Sequence, residues 1–174
     1  MTFSMDAAQQ VLSCFDIALH EGPNPPPDDN ICLRVGEVPF SAGLSEDLCC
    51  AGLAWVRILS INPSTRFPQT DTTPSNCARS SWAVELELGA VRCMPFGDNQ
   101  AGPSCTQWTA AAIQVDEDAA SMRRAACCVY DLIDVGATLI EQVVVGEWTP
   151  IDNQGGCIGG QMTMTVQINC GECS

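Results

Sequence analysis

Cysteine is the residue type in this chain whose number and spacing could do the most chemistry. There are twelve, an even count that suits a disulfide framework in a protein exposed to oxidising surroundings. Buried free thiols and a metal site are the alternatives, because free cysteine is often a core residue and thiolates bind zinc. We favour disulfides. The candidate cysteines are Cys14, Cys32, Cys49, Cys50, Cys77, Cys93, Cys105, Cys127, Cys128, Cys157, Cys170 and Cys173.

The spacing of these cysteines constrains both the pairing and the metal alternative. Only Cys170 and Cys173 have the two-residue gap of a zinc knuckle, whereas a structural zinc site needs a second knuckle or histidines. Adjacent cysteines, as at positions 49–50 and 127–128, point in different directions on a helix or a strand. We therefore expect adjacent cysteines not to bond to each other, and we expect no bound metal.

A catalytic proton transfer would need a general base, and His20 is the sole histidine. It falls at the end of a predicted helix, where a histidine stabilises the C-terminal dipole, and no nucleophile is placed beside it. The acidic runs Asp28–Asn30 and Asp116–Asp118 are typical of a polar turn and of a helix N-terminus rather than of a cation site. We therefore expect no catalytic residues, no enzymatic activity and no cofactor.

Several remaining residue types are better suited to contact than to chemistry. The stretch Gly155–Gly160 lacks the Lys-Ser/Thr of a phosphate-binding loop, and we interpret it as a mobile hairpin tip that docks on a partner. The adjacent Arg123 and Arg124 are either a solvated helix face or a salt bridge to an acidic patch on a neighbouring copy. Tryptophans are typical anchors of cores and interfaces; here they are Trp55, Trp82, Trp108 and Trp148. The predicted interface residues are Arg66, Arg79, Arg123, Arg124, Gly155, Gly156, Gly159 and Gly160.

The charge of the chain excludes a protein that grips nucleic acid through phosphates. Twenty-one acidic residues face seven basic ones, all of them arginine, and the formal net charge is −14. Binding DNA by charge requires a cluster of basic side chains. No stretch approaches the roughly 18 uninterrupted apolar residues of a membrane span, and we expect neither a membrane anchor nor a secretory signal. The absence of lysine indicates GC-rich coding, as in some bacteria and their phages.

The hydrophobic pattern predicts one α+β domain spanning residues 1–174, with a mixed or antiparallel sheet flanked by two helices. The predicted elements are a helix over 5–20, a short strand over 31–35, a long, central strand over 51–61, a long loop over 62–80, a strand over 81–91, an irregular stretch over 93–115, a helix over 116–135 and a C-terminal hairpin over 142–170, with strands at 142–149 and 161–170. The strand over 81–91 should bury its leucines and point Glu85 and Glu87 away from the core. The long loops near 62–80 and 93–115 are of a length that is usually functional.

This order of elements resembles the tail terminator proteins of long-tailed bacteriophages, which cap a finished tail tube, and the head-to-tail connector (neck) proteins of phages of GC-rich actinobacteria. The resemblance covers most of the chain and depends on element order, size and composition. The segments that carry it are Asp6–His20, Trp82–Leu88, Glu117–Ile133 and Met162–Ile168.

The resemblance implies a structural virion protein of the phage neck, assembled in the host cytoplasm. It implies a homohexameric ring for a terminator, or a dodecamer for a connector or stopper. The tail tube protein and the head-side connector would be its partners, and genome DNA would pass through the lumen without specific binding. A secreted, disulfide-stapled binding module is the alternative from a different class of protein.

Overall fold

The computed structural model describes residues 3–36, 46–71, 81–97, 102–154 and 156–169. Within these ranges the chain forms three helices and five strands. They are, in order, α1 (Phe3–His20), β1 (Ile31–Arg34), α2 (Glu46–Ala51), β2 (Leu53–Pro63), β3 (Ser81–Cys93), α3 (Cys105–Asp134), β4 (Ile140–Gln154) and β5 (Cys157–Asn169), with a 3₁₀ turn at Asp28–Asn30 before β1.

The strands form a single mixed sheet in the order β1-β2-β3-β5-β4 among the described residues. β1 is parallel to β2, and every other neighbouring pair is antiparallel. The long antiparallel strands β3, β5 and β4 make the bulk of the sheet, and β1 and β4 are its two edges. The predicted α+β fold with a sheet flanked by helices is therefore confirmed.

The main hydrophobic core lies between one face of this sheet and the pair α1 and α3. Alternation along β3 and β5 sends every second side chain to this face, and these side chains pack against the apolar stripes of both helices. Alanines on each helix let the helices lie close to the sheet and to each other. The largest fully buried side chains here include Phe15, Leu86, Leu88, Met122 and Met164.

The opposite face of the sheet is half covered, by the short helix α2 at one end. Cys49 of α2 packs with Leu53, Trp55 and Val91, which form a second, smaller hydrophobic cluster. The indole of Trp55 lies flat on β3 where residue 89 is glycine, because any side-chain carbon there would occupy the ring's position. Glycine at position 89 therefore lets the large, buried indole of Trp55 lie over the neighbouring strand.

Glu87 corrects one prediction about this second face. The sequence predicted that Glu87 points away from the core toward solvent or a partner, yet its side chain is buried. Nε and Nη2 of Arg57 donate to its two carboxylate oxygens at 2.7 and 2.8 Å, and Nε1 of Trp55 donates at 3.0 Å. A buried carboxylate persists where such charge-assisted bonds replace its water, and these contacts come from the neighbouring strand β2.

The start of α3 corrects a second prediction. Residues 105–115 were predicted to be irregular, but they form the first three turns of a 30-residue helix. Ser104 and Gln107 form a reciprocal capping box, in which each side chain bonds the other residue's backbone N–H. The acidic residues at 116–118 therefore lie in mid-helix and do not mark its N-terminus.

Asp118 explains why an acid occupies the inner side of that helix. Its carboxylate accepts bonds from Nε and Nη2 of Arg92 on β3, at 2.8 and 2.6 Å, and both side chains are buried. The guanidinium also lies against Gly52, where backbone φ is +91° and a side chain would collide with it. This fork joins α3 to the middle of the sheet.

The C-terminal hairpin is longer than predicted. β4 continues past residue 149 to Gln154, and β5 begins before residue 161, at Cys157. The described part of the glycine-rich stretch is therefore mostly strand and not a loop. Gly159 and Gly160 are buried and pair with Val91 and Ala90 of β3, and the indole of Trp148 covers Gly160. Among the described glycines of this stretch, Gly156, at φ +81°, belongs to the tight turn. The prediction that Gly159 and Gly160 belong to a mobile hairpin tip is therefore wrong, while their part in an interface stays a prediction.

Three disulfides connect elements that are distant in sequence. Cys14–Cys128 joins α1 to α3, Cys49–Cys157 joins α2 to β5, and Cys50–Cys93 joins α2 to β3. The prediction of disulfides is confirmed for these six cysteines, and neither adjacent pair is bonded within itself. Cys32, Cys105 and Cys127 are free thiols, which corrects their prediction as disulfide cysteines. Cys77, Cys170 and Cys173 lie outside the described residues.

Candidate interaction surface

The edge strand β4 is the longest exposed edge of the sheet. It has 15 residues and, in the described part of the chain, β5 as its single neighbour. Val144 and Val145 are exposed on it, at 40% and 38% of their surface. Edges of soluble proteins are usually short, charged or covered, because their unpaired N–H and C=O groups can pair with another chain. An open apolar edge of this length therefore indicates a contact surface.

Part of this edge is occupied from within the chain. The hydroxyl of Tyr130 on α3 donates to the carbonyl oxygen of Val143 at 2.8 Å. Beyond Val143, the segment from Val144 to Glu147 is the nearest unoccupied part of the edge. It includes the bulge between Val145 and Trp148, where the regular pairing with β5 is interrupted.

A groove beside β4 extends the same surface onto α3. It has a volume of about 440 Å³ and is formed by the first turns of α3 and the far ends of β4 and β5. Its walls are mostly apolar, and Trp108 exposes 42% of its surface beside it. The lining includes Trp108, Ala112, Val115, Trp148, Ile151 and Ile158. A partly exposed tryptophan at an apolar groove is typical of protein–protein contact surfaces.

The two adjacent arginines of α3 have different surroundings. Nη2 of Arg124 donates to the carbonyl of Ala18 at 3.1 Å and to Oγ of Ser121 at 2.8 Å, so it connects α3 to α1 of its own chain. Arg123 is exposed, lines the groove, and forms no ion pair within the described ranges. Only Arg123 of this pair is therefore available for a contact outside the chain.

Apart from Gly159, which lines the groove, the other described residues of the predicted interface set do not gather at this surface. Arg66 lies in a tight turn closed by an isolated bridge to Gln69. Arg79 and Gly155 lie outside the described residues. Gly156 sits at the turn between β4 and β5, where its carbonyl accepts from the backbone of Met94 at 2.7 Å. Of the predicted set, the structure places Arg123 and Gly159 against the groove.

His20 lies away from this surface, at the end of α1. Its Nδ1 is 2.9 Å from the carbonyl oxygen and 3.0 Å from a carboxylate oxygen of Asp16, and its Nε2 is 3.0 Å from Oδ1 of Asp28. The hydrogen bond to the Asp16 carbonyl raises the pKa of His20 most, partial burial opposes it, and the two carboxylates raise it further. The imidazolium therefore joins α1 to the turn that precedes β1.

This arrangement predicts a pH-dependent contribution to stability. Because the pKa of folded His20 is raised, its contribution is complete below the ordinary value of 6.5 and is lost as pH rises through the folded value. The contacts are exposed, so we expect His20→Gln to lower Tm at pH 5.5 by at most about 3 °C. Thermal unfolding followed by circular dichroism at pH 5.5 and pH 9 measures this. A deficit of the same size at both pH values would contradict it.

The acidic runs have structural roles where they are described. Asp28 binds His20, and Nδ2 of Asn30 donates to the carbonyl of Gly52 at 2.9 Å. Within the described residues, no group of three or more histidine, cysteine or acidic side chains is placed to hold a metal ion. No helix in the described ranges is long and apolar enough to cross a membrane.

No protein-family model matches this chain, and no curated protein is significantly similar to it.

Sequence reasoning missed most of the surface that the structure reveals. The signal for the N-terminal turns of α3 was present, since Ser104 and Gln107 have the three-residue spacing of a capping box. That signal would have placed Trp108 on a helix. The exposure of Val144 and Val145 depends on which strand ends at the edge of the sheet, and no local pattern shows that.

Proposed function

We propose that this chain is a non-catalytic structural subunit of a bacteriophage neck, and specifically the tail terminator, which assembles into a hexameric ring. The observation that carries the proposal is the open segment Val144 to Glu147 of the β4 edge, which exposes two valines, together with the adjoining tryptophan groove. A ring requires two different surfaces on each copy, and an unpaired strand edge is a natural donor of one of them. A head-tail connector or stopper of the same neck would use the same surface.

The electrostatics support a ring through which DNA passes. The chain carries a net charge of −14, so a closed ring has no basic lumen that would retain phosphates. The half-covered face of the sheet is polar where α2 does not reach, with Thr163 and Thr165 of β5 on it. Where this face carries Arg57, Glu87 neutralises it. Such a face suits the wall of a DNA passage.

The test of this function is the state of assembly, alone and in particles. We expect light scattering and native mass spectrometry to show a ring, and cryo-EM of particles assembled with the neighbouring structural genes to place it at the top of the tail. Val144→Lys should reduce ring formation at least tenfold, because it places a charge on the apolar edge.

A matched control separates the edge from exposed apolar surface in general. Ile17 on α1 exposes 57% of its surface but belongs to a helix and not to a strand edge. We therefore expect Ile17→Lys to assemble as the unmodified chain does. Monomers alone, both in concentrated solution and within assembled particles, would contradict the proposal.

A secreted, disulfide-stapled binding module is a second candidate, and the three disulfides favour it. Disulfides of this kind persist in oxidising surroundings outside the cell. A virion subunit would fold with reduced thiols and oxidise after release, whereas a secreted module would be oxidised from the start. A thiol count on protein taken from inside host cells and from released particles distinguishes the two.

A further inference from the structure

We propose that the ring closes by strand-edge pairing, in which the β4 edge of one copy pairs with the β1 edge of the next. This inference rests on the ring proposed above and names the surfaces that join its subunits. β1 and β4 are the two ends of the same sheet, so they face opposite sides of the subunit. A contact between unlike edges is heterologous, and it repeats from copy to copy until the ring closes.

The β1 edge offers a receptive surface. A groove of about 180 Å³ opens beside it, with apolar walls that include Met5, Leu33 and Ile58. Val35, just after β1, exposes 94% of its surface. These side chains are of the same type as the exposed valines of β4. Pairing the two edges would cover both sets from water while the backbone groups bond across the seam.

Charge complementarity favours this pairing over contact between two like edges. Arg34 on β1 is half-buried, and Glu147 on β4 is exposed. Neither side chain forms an ion pair in the described part of the chain. A carboxylate from the neighbouring copy would give the Arg34 side chain a charge-assisted partner across the seam. Because the chain has seven basic residues against 21 acidic ones, a contact between Arg34 and Glu147 would distinguish this pairing from contacts elsewhere on the surface.

The structure also limits which part of β4 takes part. β1 has four residues against the 15 of β4, so the seam uses a short segment of the longer strand. Tyr130 already occupies the carbonyl of Val143. The pairing segment is therefore Val144 to Glu147, and the tryptophan groove further along β4 is left to pack against the flank of the neighbour.

A charge exchange tests the contact. We expect Glu147→Arg to raise the concentration at half-assembly about tenfold or more, because it places two cations at the seam. Arg34→Glu should weaken assembly similarly, and the double variant should recover to within about threefold of the unmodified chain. Sedimentation velocity over a concentration series measures all three. Asp131→Arg is the control, since it makes the same charge change on an exposed acid of α3.

Hydrogen exchange provides a reading that does not depend on the folding of the Arg34 variant. In the unmodified protein, assembly should slow the amides of residues 31–36 and 144–148 and leave those of the interior strands as they were. The edge contact is overturned, while the ring stands, if the unmodified chain forms rings but Glu147→Arg assembles normally and these amides stay unprotected. If the unmodified chain forms no ring even in particles, both are overturned.

Discussion

Removing the disulfide between α1 and α3 should cost about 3–5 kcal/mol of unfolding free energy. The variant is Cys14→Ala with Cys128→Ala. Its two residues are 114 apart in sequence, so the bond closes most of the chain into one loop and restricts the unfolded state strongly. Chemical denaturation of the variant and of the unmodified chain measures the difference, with the other two disulfides intact in both.

The neighbouring free thiol supplies the control for this experiment. Cys127 is exposed and adjacent to Cys128, so Cys127→Ala removes a cysteine from the same turn of α3 without opening a loop. We expect its unfolding free energy to stay within about 0.5 kcal/mol of the unmodified value. Peptide mapping without reduction should recover Cys14 joined to Cys128. Recovery of either cysteine as a free thiol, or an equal loss in the control variant, would count against the bond.

The second large effect is expected at the buried ion pair of α3 and β3. Asp118→Ala should destabilise the protein by about 3–5 kcal/mol, because it leaves the guanidinium of Arg92 buried without its counter-charge. The two bonds of the fork, at 2.8 and 2.6 Å, are lost together. Urea denaturation of the two proteins gives the difference directly.

A double substitution distinguishes an uncompensated charge from lost packing. Arg92→Met with Asp118→Leu removes both charges and keeps apolar volume, so most of the loss should be recovered. Asp131→Ala is the surface control on the same helix, and we expect a change below about 0.5 kcal/mol. Equal losses for Asp118→Ala and Asp131→Ala would show that burial does not make this pair important.

The hydrophobic pattern predicted correctly those elements in which apolar residues recur with the full period of a helix or a strand. The apolar stripe of α1 and the alternation of β3 both indicated the right structure, and so did the general α+β architecture. The first turns of α3 were not predicted because the acids at 116–118 are typical of a helix N-terminus, whereas the helix begins at the capping box of Ser104 and Gln107. Asp118 is acidic for a tertiary reason, its bond to Arg92, and a helix-terminus rule cannot distinguish that.

The candidate surface was less predictable than the fold, because it depends on tertiary placement. Gly159 and Gly160 have the composition of a loop, yet they are glycines because β3 and Trp148 approach their backbone closely. Cysteine spacing cannot determine which of twelve thiols pair, and only the packing of α2 places Cys49 and Cys50 beside two different strands. Arg123 could be named in advance, but the groove that it lines could not.

The position of β5 places a condition on how the protein is synthesised. It is the last strand along the described chain, yet it lies in the interior of the sheet between β3 and β4. A nascent chain that has not released residues 157–169 from the ribosome therefore has two long strands without their common neighbour. Cys49 also lacks its partner until that moment. A stop codon before Cys157 would remove an interior strand of the sheet rather than an edge strand. The shortened product would aggregate or be degraded by proteases.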